Sequence, residues 1–171
     1  ADMLDAHPEL VALVERAAAC PDYDPQLDGS LGSDEFINFQ MERFGPLKPA
    51  ARLLSYQTTV FLARGQREQA AQSAIALLRL TRHYDNQPML IGHLVAIGCR
   101  GISHDVVNRV LRSGPVSYSA RDALDAELAQ HDMWASFARS LKSERAFGLL
   151  ALDSLPVGKW GKYWPSRGFW N

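Results

Sequence analysis

The sequence predicts an all-α fold: a bundle of about seven helices built on a central antiparallel hairpin, with an aromatic-rich, irregular C-terminal extension. Three observations carry that expectation. Residues 50–113 read almost without a break as amphipathic helix, apolar side chains recurring at three- and four-residue spacing. Arg64-Gly65-Gln66 interrupts this run too briefly for anything but an αα-hairpin. Trp160, Tyr163, Trp164, Phe169 and Trp170 then close the chain among glycines, prolines and lysines with no helical period.

The elements follow in order. Pro8 opens a first helix to Ala19, with Leu10, Val11, Leu13 and Val14 as its apolar stripe, and Pro21 stops it. Residues 20–32 form a polar loop punctuated by proline and glycine. Ser33 reads as an N-cap, Asp34 and Glu35 face the positive helix end, and the helix runs through Phe44 to Gly45-Pro46. Pro49 opens the first arm of the hairpin, with Leu53, Leu54, Val60 and Phe61. The second arm carries Ala70, Ala71, Ala74, Ile75, Leu77, Leu78 and Thr81, and Arg79 and Arg82 suit its negative end.

Asp85-Asn86-Gln87-Pro88 leads into a long helix from Met89 to about Arg112, whose inner face is expected at Ile91, Leu94, Val95, Gly98, Ile102, Val106 and Val110. Gly92, Gly98 and Gly101 each cost about 1 kcal/mol inside a helix, which a close approach of another helix would offset. Ser119-Ala120-Arg121-Asp122 reads as a capping box for a helix with Leu124 and Leu128. A last helix spans roughly Met133 to Leu152, and Glu144 or Arg145 is expected to turn inward and pair with Arg109 or Asp105. Residues 1–152 are thus one helical domain. Residues 153–171 are an extension that either lies back over a helix groove or meets a partner, as exposed aromatic clusters do.

Composition narrows the function. At 171 residues the chain buries a core without needing a disulfide or metal. A net charge of −1 argues against a dedicated nucleic-acid binder, and the basic residues of the last third read as a solvated surface. No run of about 18 apolar residues suggests a transmembrane segment. The first residue is alanine, as expected of either a processed or a trimmed chain, from which a targeting segment can have been removed, and the end at Trp170-Asn171 suggests a truncated chain. Cys20 and Cys99 follow no metal or redox spacing, and spacing leaves their pairing open.

No catalytic signature appears. His93 and His104 lie about 16 Å apart along a helix, too far to share an ion. Gly98-Cys99-Arg100-Gly101 has no strand before it and is not a phosphate loop. Ser103, His104 and Asp105 point about 100° apart on a helix, so they form no relay. The one metal candidate is the loop 24–35, which lays Asp24, Asp28 and Glu35 on the first, fifth and twelfth positions of a calcium loop with Gly29 at the turn. Gln26 at the third position adds no charge, Pro25 stiffens the entry, and no second hand follows. The other reading is a surface loop whose Asp and Gly residues serve turns.

The hairpin AARLLSYQTTVFLARGQREQAAQSAIALL resembles one tetratricopeptide-like repeat: Leu54, Phe61, Gly65 and Ala70 match, while Gln57, Leu77 and Arg82 depart from the pattern. More broadly, the order YDPQLDGSLG, LKPAARLL, LARGQREQAAQSAIALLRLTRHYDNQPMLIGHLVAIG and LKSERAF resembles a group of all-helical bacterial proteins without an assigned activity. Several of its members carry a hydrophobic anchor or signal. That resemblance implies an exported or envelope-associated protein, and no functional residues carry over from it. The leading expectation is a non-enzymatic interaction or scaffold module with a protein or peptide partner and no cofactor. The alternative is a small-ligand or calcium-binding protein.

Overall fold

In the computed structural model, residues 7–24, 31 and 33–154 are described, and these are all-helical, with no strand among them. The helices are α1 (Pro8–Ala19), α2 (Ser33–Phe44), α3 (Leu47–Ala63), α4 (Arg67–His83), a 3-10 turn (Tyr84–Asn86), α5 (Leu90–Arg112), α6 (Tyr118–Ala129) and α7 (Met133–Ser154). The aromatic extension and Asp28 of the early loop lie outside the described residues.

The core is centred on α4, which packs against α1, α3, α5 and α6. Ala70, Ala71, Ala74, Leu77 and Leu78 are fully buried there, facing Leu54, Ala51, Ala96, Cys99, Val106 and Val110. Small residues on α4 let its neighbours approach closely, and burying each large aliphatic side chain contributes about 1.5–3 kcal/mol. Gly65 closes the α3–α4 turn at φ 71°, a conformation that side chains with a Cβ rarely take.

Polar ties, some buried and some at the surface, fix the helices relative to one another. Gln57 Nε2 donates to Glu15 Oε1 (2.8 Å) while its Oε1 accepts from Ser73 Oγ (2.8 Å), joining α1, α3 and α4. Gln57 thus serves a polar bridge that an apolar residue could not make. Arg109 donates to Thr59 Oγ1 (2.6 Å) and Ser55 Oγ (2.9 Å), tying α5 to α3. Glu127 of α6 receives Arg79 (2.7 Å) and stands 3.6 Å from Arg82.

Several sequence expectations shift. On α1, Leu10 and Leu13 are exposed and Ala18 is buried, so the packed face is Val14 and Ala18. Helix α3 begins at Leu47, and Pro49 sits inside its first turn. The cap of α6 is Ser117, whose Oγ accepts from Ala120 N–H, and not Ser119. Glu144 does turn inward, but it accepts the N–H of Leu90 (3.1 Å) at the positive start of α5. Arg109 pairs instead with its neighbour Asp105 (3.1 Å).

The largest correction concerns α5. Its buried face is Gly92, His93, Ala96, Cys99, Arg100, Ser103, Val106, Val107 and Val110, whereas Ile91 and Leu94 are exposed. Polar His93 and Arg100 occupy the interface because α7 and the 3-10 turn supply them with partners, and Ser103 is satisfied by the Arg100 carbonyl of its own helix, so apolar periodicity pointed to the wrong side of the N-terminal half. Gly92 makes the expected close approach: a Cβ there would lie 2.8 Å from Gln87 Cβ and 3.0 Å from the Phe44 ring. At Gly98 and Gly101 a Cβ would meet nothing within 4 Å. By length and composition α5 is the one described helix that could cross a membrane, yet it packs on α3, α4 and α7 as a core helix does.

Candidate functional site

Two places bring unusual groups together. The first lies under the 3-10 turn. Asp85 and Arg100, both buried, form an ion pair between the turn and α5. Ser136 of α7 donates to the carbonyl of Asp85 (3.1 Å), which leaves its oxygen to accept from His93 Nδ1–H (3.1 Å). His93 also packs on Phe137, with ring centroids 5.5 Å apart. Burial, and then the Arg100 cation, hold His93 below the ordinary histidine range. Burial likewise depresses His83 and His131, and it raises the Cys99 thiol and the Tyr84 phenol. Every one of these shifts favours the uncharged form.

Chemistry at the predicted positions is equally quiet. Asp24 and Glu35 are exposed, and among the described residues no three His, Cys, Asp or Glu side chains gather. Cys20 and Cys99 are both free, one exposed and one buried. Ser103 Oγ bonds back to the Arg100 carbonyl (2.9 Å), His104 is exposed, and Asp105 faces Arg109, so the three diverge.

The second place is a groove between α5 and α6. Both helices pack on α4, but they splay apart after the connector 113–117, where Gly114 takes φ 129°. Glu68 of α4 pins the connector by accepting from Ser117 N–H (2.6 Å) and Ser117 Oγ (2.9 Å). The wedge left open is about 590 Å³. Val107 and Leu111 line it from α5, Gly114, Pro115 and Val116 close one end, and Leu124 and Leu128 line it from α6. Tyr118, 86% exposed, stands at its mouth, with Arg121 and Asp125 on the rim. An apolar floor with an aromatic and a few charges at the edge is the chemistry that receives the apolar face of a peptide or helix.

Leu124 and Leu128 were legible as apolar positions of α6, whereas Val107, Leu111, Val116 and Tyr118 were not singled out. Their signal lies in the C-terminal half of α5, where Val106, Val107, Val110 and Leu111 spread over more of the helix than one buried face needs. Comparison with known proteins finds no matching family model, curated protein or solved structure.

Proposed function

We propose that this chain is a non-enzymatic protein-interaction module that seats the apolar face of a partner peptide or helix in the groove between α5 and α6. The observation that carries this reading is the groove itself: an open, mainly aliphatic wedge held apart by a pinned connector. The arrangement of helices supports it. Helix α5 lies across both arms of the α3–α4 hairpin and α6 rests on α4, an arrangement in keeping with the hairpin's resemblance to a tetratricopeptide-like repeat. Selection from a displayed peptide library, followed by calorimetry on the purified chain, tests it. Amphipathic peptides should be enriched, and Leu111→Asp should weaken them at least tenfold with helicity unchanged. Enriched peptides indifferent to Leu111→Asp would overturn the proposal.

A second reading, a small apolar ligand, draws on the recess of about 350 Å³ lined by Val14, Ala17, Pro46, Leu47, Leu80 and Tyr84. Ala17→Phe would fill it. Loss of a bound fluorescent lipid analogue in that variant would favour this reading, and unchanged binding would remove it.

A further inference from the structure

The outer face of α7 takes no part in the groove, and it sets exposed apolar side chains beside cations. Successive helical residues turn by about 100°, so Trp134, Leu141, Arg145, Leu149 and Leu152 fall within about 80° of arc. Trp134 is 79% exposed, Leu141 45%, Leu149 55% and Leu152 47%. Arg145 stands within this stripe, with Lys142 and Arg139 on one flank, all three exposed. The only described acid on the helix besides Asp153 is Glu144, and it points the other way, to the start of α5. The sequence after α7 continues the same composition: Lys159, Lys162 and Arg167 with Trp160, Tyr163 and Trp164, and no Asp or Glu from 155 to 171.

We infer that the outer face of α7 is a docking surface for an anionic lipid bilayer. An amphipathic helix lying in the interfacial plane needs an apolar stripe that enters the acyl boundary and cations that meet the headgroups. Tryptophan is the side chain most at home at that depth. Arg145 is compatible with the stripe, because its long stem reaches up to the headgroups while its methylenes stay in apolar surroundings. Charge decides the occupant. A second copy of this chain would set the same cations against themselves, whereas a phosphatidylserine surface supplies the anions that the described part of α7 lacks.

The test is sedimentation of the full chain with vesicles of phosphatidylcholine alone, and of phosphatidylcholine mixed with phosphatidylserine. The chain should co-sediment with the mixed vesicles, release as salt is raised, and stay in solution with the neutral ones. Replacing Arg139, Lys142 and Arg145 by Gln should weaken binding by about fivefold for each cation removed. Trp134→Ala with Leu141→Gln should weaken it further, while circular dichroism shows the helices intact. A chain that ignores the mixed vesicles would overturn the inference and leave the stripe to a protein partner. Undiminished binding in both variants would also overturn it, by placing the lipid contact in residues 155–171.

Discussion

Replacing Asp85 by Asn probes the buried ion pair that joins the 3-10 turn to α5. Arg100 is 3% exposed, and besides its bond to Asp85 its Nε and Nη1 atoms find no partner among the described residues. Removing the carboxylate charge therefore leaves a buried guanidinium without its counter-ion. Breaking a buried pair from one side costs about 3–5 kcal/mol. For a chain of this size a kilocalorie moves the midpoint by about 2–4 °C, so Asp85→Asn should melt roughly 6–20 °C lower. Arg100→Met should lose a comparable amount, since it strands the aspartate. The double variant, which removes both charges, should recover most of the loss, because an apolar replacement of a buried pair is often neutral. Urea and thermal unfolding followed by circular dichroism give the three values and their coupling. Asp85→Asn within 1 kcal/mol of the parent, or a double variant that merely adds the two losses, would refute the buried pair.

Other outcomes follow from the same geometry. Gly98→Ala and Gly101→Ala should each stabilise by about 0.5–1 kcal/mol, because their Cβ atoms enter open space, whereas Gly92→Ala should destabilise by pressing on Gln87 and Phe44. Equal effects at all three sites would contradict the assigned face of α5. Stability should fall with acid. The folded-state values of His83, His93 and His131 lie below the unfolded value near 6.5, so the unfolded chain binds more protons. Stability is then full above about pH 6.5 and declines below it, by at most about 1.4 kcal/mol per pH unit for each histidine. A flat profile between pH 7.5 and 5 would sink this assignment. Leu54→Ala, at a fully buried position, should cost about 2–5 kcal/mol in urea unfolding. Native mass spectrometry should give one mass with calcium and with a chelator; a calcium-dependent step lost in Glu35→Gln would instead make the early loop a metal site.

How much of this could be read in advance depends on which residues carry the signal. The all-helical architecture was legible from period alone, and Pro8, Gly45-Pro46 and Gly65 marked their boundaries because proline and glycine act locally. Faces were harder. On α5 the polar residues His93, Arg100 and Ser103 are inside; Ser136 and Asp85, on other elements, explain the first two, and Ser103 bonds back to the Arg100 carbonyl. A lone arginine between Cys99 and Gly101 in an apolar helix was the available hint of a buried pair. Ser117 was missed as a cap because Ser119 offered the same local pattern, and the choice between them rests on Glu68, which no local motif contains. The groove was invisible for a related reason. It is a gap between two helices that both follow the packing rules, and its existence depends on how far the connector holds them apart.

Methyl NMR reads docking in the wedge between α5 and α6 at the residues that line it. With a selected peptide titrated into the labelled chain, the methyls of Val107, Leu111, Val116, Leu124 and Leu128 should shift together and saturate at one stoichiometry. Shifts confined to α7 or to the α1–α3 recess, with these methyls unmoved, would contradict the account.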